Sequence, residues 1–216
     1  MPHDPETRKI LNKTDASPCQ IHNECSGKHS GFLSVSQRLG AGANYVALDH
    51  PVQRACLEAT ERMTGVTSAG HGIDGCAAPN FATTVTGLAR AMAQFAGAAD
   101  TSAAGRLRDA MRLHPEFVAG DGKATTELMQ AMEGRAAVKT GADGVFTAIL
   151  PEQRLGIAIK IDDGADRASA AACAALLIKY GALDPDHPLA LRTLNGPILN
   201  RRGMVTGTTK AAPGFG

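Results

Sequence analysis

The sequence has no tryptophan, two tyrosines and six phenylalanines, and no basic run interleaved with aromatics. Without a stacking surface or a charged stripe, no nucleic-acid partner is expected. Neither sign of charge dominates, since 22 Lys and Arg stand against 21 Asp and Glu. No apolar run is long enough to span a bilayer, and the opening Met1-Pro2-His3-Asp4-Pro5 lacks the apolar stretch of a secretory signal. No membrane partner and a cytoplasmic location are therefore expected. Five cysteines are too sparse, and odd in number, for a disulfide framework, so reduced thiols are expected. What is present, 44% hydrophobic and 20% charged residues over 216 positions, suits one soluble globular domain.

Chemistry concentrates in three clusters. The first is Asn23-Glu24-Cys25-Ser26-Gly27-Lys28-His29-Ser30-Gly31, and the second is Gly72-Ile73-Asp74-Gly75-Cys76. Each sets a thiol among glycines and ionisable groups, the composition of a reactive or soft-metal site. The third, Lys139-Thr140-Gly141-Ala142-Asp143-Gly144, has an amine in place of the thiol. Together they point to one shared pocket.

Residues 1 to 20 read as a polar leader around a short amphipathic stretch from Glu6 to Leu11. Phe32, Leu33, Val35 and Leu39 then recur near helical spacing before Gly40, which puts Lys28 and His29 where a loop enters a helix. Backbone amides at such an entrance favour anions. Pro51 announces a second helix with Val52, Ala55, Cys56, Ala59 and Met63 on one apolar face. Cys56 and Cys173 read as small buried hydrophobes, and Cys19 has no identifiable partner. Thr67 to Asn80, with Gly70, Gly72, Gly75 and Pro79, reads as turns rather than regular structure. Helices are expected through Phe81, Val85, Leu88, Met92 and Phe95 and again over Leu107 to Leu113, with the aromatics in the core. Val145–Leu150 and Leu155–Ile161 read as an antiparallel hairpin, followed by a helix from Asp166 to Tyr180. Residues 186–216 read as a loosely held tail.

Cys25 and Cys76 could supply two thiolates to zinc, with Lys28 or His29 as third ligand; lysine binds a metal only as the neutral amine. Alternatively Lys28 and the loop amides could activate Cys25 as a nucleophile, or the first cluster is a glycine-rich turn around a buried thiol. Lys139-Thr140-Gly141, followed by a strand pair and a terminal helix, is similar to the Lys-Thr-Gly strand of penicillin-recognising serine enzymes, which work with a Ser-x-x-Lys motif.

His22-Asn23-Glu24-Cys25-Ser26-Gly27-Lys28-His29-Ser30-Gly31-Phe32-Leu33, Asp49-His50-Pro51-Val52-Gln53, Gly72-Ile73-Asp74-Gly75-Cys76 with Pro79, His114-Pro115 with Val118-Ala119-Gly120, and Lys139-Thr140-Gly141-Ala142-Asp143-Gly144 occur in this order. This set resembles the zinc-containing bacterial L-asparaginases, the asparaginase II family or class 3. The resemblance implies an α/β fold like that of serine β-lactamases and glutaminases, an α/β/α sandwich around an antiparallel sheet, and hydrolysis of L-asparagine to aspartate and ammonia. It implies zinc on Cys25, Lys28 and Cys76, Asp74 as a carboxylate for the substrate's ammonium, and His29, Thr140 and Gly141 at the substrate. Lys139 matches a catalytic lysine that works with a serine, and a homodimer is implied. Whether asparagine or glutamine is preferred depends on pocket shape, since they differ by one methylene.

The resemblance has a gap. No Ser-x-x-Lys occurs in the 216 residues, and Cys25 occupies the position three before Lys28. The expectation is that residues 1–185 correspond to the C-terminal two-thirds of an asparaginase-like domain, N-terminally incomplete and dependent on a missing N-terminal segment. Little or no activity, an exposed apolar face, and a zinc-containing amino-acid-binding module as the alternative function follow from that expectation.

Overall fold

The computed structural model describes Pro2 and residues 4–215. It is a mixed α/β chain with small antiparallel sheets, and it divides into two compact units.

The first unit comprises Met1–Arg62 and Thr67–Thr83. Helix α1 (Pro5–Thr14) starts where the Asp4 carboxylate accepts the Thr7 N–H and Pro5 supplies the fixed φ of a first helical position. A 3₁₀ turn (Gln20–His22) leads into α2 (Ser26–Arg38), and Gly40, at φ 62°, ends that run as anticipated. Helix α3 (Pro51–Thr64) begins at its proline, also as anticipated. Its buried residues are Val52 and the polar Gln53 and Thr64, while Ala55 of the expected apolar face is exposed. The glycine-rich stretch after α3 is more regular than expected: β1 (His71–Ile73) and β2 (Pro79–Phe81) pair antiparallel, His71 opposite Phe81 and Ile73 opposite Pro79. Few apolar side chains are buried here, chiefly Leu11, Val52 and Ala78; α2 leaves Leu33 and Val35 exposed, and its C-cap Leu39 is exposed too.

The second unit comprises Met63–Val66 and Thr84–Gly216. Helix α4 (Val85–Ala96) is capped by the Thr84 hydroxyl, which accepts the Gly87 N–H at 2.9 Å. Then come α5 (Ala103–Leu113), α6 (Glu116–Ala119) and α7 (Ala124–Ala131). Strands β3 (Ala137–Thr140), β4 (Val145–Leu150) and β5 (Leu155–Lys160) form an antiparallel sheet in the order β3-β4-β5, so the anticipated hairpin is present. Helix α8 (Asp166–Lys179) follows within a residue of its expected end.

Successive residues Phe146 to Leu150 are all buried, so both faces of the central strand are covered. Helices α4 and α8 both pack on β4 and β5. The approach of α4 depends on Gly156, where a Cβ would run into the backbone of Ala89, Met92 and Ala93. Cys173, fully buried in α8, is the small hydrophobe the sequence suggested, and burial pushes its thiol far above the ordinary range. On α5 the expected apolar stripe is overturned: Leu107 and Leu113 are more than half exposed, and Arg108 is the buried residue. Its guanidinium reaches the Ala96 and Ala98 carbonyls at the end of α4 and the carboxylates of Asp100 and Asp109. Filling every donor makes that burial tolerable.

Residues 186–216 contain α9 (Pro188–Asn195), with Leu189 and Ala190 buried against the core, and a hairpin of β6 (Pro197–Leu199) and β7 (Val205–Thr208). Among the described residues no helix is long and apolar enough to cross a membrane.

Candidate functional site

In the first unit, helix α2 and the β1–β2 loop bring four of the singled-out side chains together. Cys25 stands at the N-cap of α2, its N–H held by the Asn23 side-chain oxygen at 2.8 Å. Lys28 lies one turn further on, so the Cys-x-x-Lys spacing puts thiol and amine on one helix face. Asp74 and Cys76 sit in the loop between β1 and β2, and the ladder beneath fixes that loop. The Asp74 N–H donates to the Ala78 carbonyl at 2.9 Å, and Ala77 takes a left-handed φ of 69° to make the turn.

The Lys28 ammonium is the hub, 3.2 Å from the Cys76 Sγ and 3.3 Å from an Asp74 oxygen, with that oxygen 3.5 Å from the same sulfur. Burial penalises the Lys28 charge, but hydrogen bonding to Cys76 and the fields of both thiols outweigh it and raise its pKa above the ordinary range. Cys25 is also raised, mainly by burial, which Lys28 opposes. Asp74 is lowered, first by the Gly75 N–H and, after a burial cost, by Lys28. The cluster as it stands is therefore an ammonium held by the Asp74 carboxylate and the Cys76 sulfur, beside a Cys25 thiol that burial keeps protonated.

Cys25, Asp74 and Cys76 offer ligand atoms that all lie within 4.8 Å of one another. Two thiolates and a carboxylate are a donor set suited to zinc, and the 3.5 Å between the Cys76 sulfur and the Asp74 oxygen is the separation of two ligands on a tetrahedral ion with bonds of about 2.0–2.3 Å. The residues fit the metal. Lys28 borders the same centre and can join it only by giving up its proton.

A cavity of about 670 Å³ lies in the same unit, lined by Cys19, His22, Ser26, His29, Tyr45 and Cys76 among others. His29 Nδ1 is 2.9 Å from the Tyr45 hydroxyl, and its Nε2 is buried with no hydrogen-bond partner. Tyr45 was not singled out by sequence; its position after Gly40-Ala41-Gly42-Ala43-Asn44, a polar-tipped aromatic closing a glycine-rich loop, was the available signal. Two thiols also differ from the sequence reading. Cys19 has a partner, since its Sγ is 3.5 Å from His22 Nδ1, which also accepts the Cys19 N–H at 2.9 Å. Cys56 is only partly buried; that burial raises its pKa, and Lys28 is near enough to oppose the shift.

Lys139, Thr140 and Gly141 belong to the second unit. Lys139 and Thr140 form the end of β3, with Lys139 opposite Thr147, and the expected strand pair β4 and β5 follows them. The Lys139 Nζ is exposed and donates to the Thr140 carbonyl at 2.7 Å, while the Gly141 N–H continues the ladder to the Val145 carbonyl at 2.8 Å. Asp143 and Gly144 turn the chain with φ of 54° and 71°. This is a strand-edge site with an exposed amine bonded, among the described residues, only to its neighbour's carbonyl.

No curated protein matches the chain. A family model described as L-asparaginase II matches residues 1–211.

Proposed function

The chain belongs to the L-asparaginase II family, a family of amidohydrolases, and on that premise we propose that it binds L-asparagine beside a zinc centre on Cys25, Lys28 and Cys76. The observation that carries the proposal is the convergence of two thiols, a carboxylate and an ammonium from segments distant in sequence. Asp74 is carried over as the group that receives the ligand's ammonium, a charge-assisted pair suited to a carboxylate that stays ionised. His29 lines the cavity beside it, and the α2 N-terminus favours the ligand's carboxylate. When bound, zinc supplies positive charge that draws the protons off the thiols and polarises a neighbouring carbonyl. Lys139 is proposed as the lysine that moves a proton at the amide, with Thr140 and Gly141 lining the substrate. The fold proposed with this function is the β-lactamase-like sandwich, supported by α4 and α8 packing on the antiparallel sheet.

The family reaction proceeds through a serine in Ser-x-x-Lys, and these 216 residues contain none. Binding without efficient turnover is therefore the proposed behaviour of this chain, since positioning and charge stabilisation alone do not replace a nucleophile. Calorimetric titration with L-asparagine and an ammonia assay on the zinc-loaded chain test both parts. Heat with little or no ammonia is expected; ammonia release at an ordinary enzymatic rate would overturn the weak-activity proposal. Absence of any heat would overturn the binding proposal. Rapid alkylation of Cys25 in the zinc-loaded chain, with loss of any residual turnover, would instead favour a cysteine nucleophile.

A further inference from the structure

The motif Asp49-His50-Pro51-Val52-Gln53 has no role in the site described above, yet its side chains are tightly engaged. His50 Nδ1 accepts the Val52 N–H at 3.2 Å, which leaves the ring proton on Nε2, and Nε2 lies 2.9 Å from the Gly42 carbonyl. From α2, the Ser36 hydroxyl donates to the same carbonyl at 2.7 Å. Gln53, only 1% exposed, donates from its side-chain amide to the Tyr45 carbonyl at 2.8 Å. Two helices thus pin the glycine-rich loop that ends in Tyr45.

What the pinned loop delivers is a hydroxyl at 2.9 Å from His29 Nδ1. The two rings meet edge to face at 5.4 Å, and Phe32 closes the trio at 5.6 Å from His29 and 5.8 Å from Tyr45. Such contacts restrict both position and tilt of the imidazole. His29 and Tyr45 line one cavity, and His29 Nε2 is left without a partner. A buried polar group in that condition costs about 1–3 kcal/mol, a cost that a ligand can recover.

We propose that Tyr45 is a positioning residue that acts through His29. Its hydroxyl donates to Nδ1, keeps the imidazole proton on Nε2, and so holds Nε2–H as a donor for a carboxylate oxygen of an amino acid in the cavity. Gln53 holds the Tyr45 backbone in place for that task. The inference rests on the ligand reading above and adds to it the residues that orient the ligand's donor.

Tyr45→Phe removes the hydroxyl and keeps the ring. The zinc-loaded full chain is titrated calorimetrically with L-aspartate, which binds without turnover, and the His29 ring nitrogens are observed by ¹⁵N NMR. Wild type is expected to show the Nε2-protonated tautomer; the variant is expected to show a mixture and to bind L-aspartate about 10-fold more weakly, the equivalent of one oriented hydrogen bond. An Nδ1-protonated His29 in wild type overturns the proposal directly and needs no folded variant. Unchanged affinity in Tyr45→Phe overturns it too, leaving amino-acid binding intact. A wild-type chain that binds neither L-aspartate nor L-asparagine instead sinks the ligand reading, and the carboxylate role of His29 with it.

Discussion

Single side chains in this protein act through what burial and neighbours do to their charge. In the thiol cluster, Lys28 keeps its proton because Cys76 and Asp74 hold the ammonium, and Cys25 keeps its proton because it is removed from water. Metal and protons therefore compete for the same atoms, and loss of one thiol should be decisive. Cys76→Ala should lower zinc affinity at least about 100-fold, measured by competition with a chromophoric chelator; retention equal to wild type would remove Cys76 from the ligand set. In the second unit, Asp109 is pulled down to about 2 by hydrogen bonds from Arg108 and Arg112. A carboxylate below its unfolded value adds stability that is complete above about pH 4 and is lost as pH falls toward 2. Asp109→Asn should cost about 1–2 kcal/mol in urea denaturation at neutral pH. The difference from wild type should shrink as the pH is lowered through that window.

At the level of elements, chemistry is placed where regular structure ends. Cys25 caps α2, Asp74 and Cys76 occupy the turn of the β1–β2 hairpin, and Lys139 with Thr140 closes β3. Helix dipole and unpaired amides serve the first position, and a strand edge serves the last. The sheet itself depends on a missing side chain, because α4 crosses β5 at Gly156 with its backbone in the space a Cβ would fill. Gly156→Ala should therefore destabilise by about 3 kcal/mol or more through displacement of α4, read from the urea midpoint with a marker of α4 packing. A change below about 0.5 kcal/mol would mean that the helix shifts freely.

On the scale of the molecule, the two units differ in what holds them together. The second has an apolar core running through Phe146, Leu150, Met129, Met132, Cys173 and Leu177, all essentially unexposed. The first buries little apolar surface and joins its thiols from positions 25 and 76 of the chain. A metal that binds only the folded form contributes about 2.7 kcal/mol at free concentrations 100-fold above Kd. Chelation should thus speed hydrogen exchange in α2 and the β1–β2 loop while leaving β3, β4 and β5 nearly unchanged. Uniform acceleration in both units, or none, would contradict that division.

Much of this was legible because local rules suffice where a pattern repeats. Proline at the start of α3, glycine after α2, the two β-rich runs of β4 and β5 and the alanine-rich α8 report backbone preferences that neighbours in sequence can satisfy. The three chemical clusters were visible for a similar reason, since thiols and amines among glycines are uncommon without a task. Tertiary structure decided the rest. It buried Arg108 and exposed Leu107, because carboxylates and the open carbonyls ending α4 met the guanidinium there. It gave Asp74 a place beside two thiols, drew Cys56 close enough to respond to Lys28, and set Tyr45 against His29. Spacing along a chain fixes which side of a helix or strand a residue takes; which residue of a distant segment it meets depends on how those elements pack.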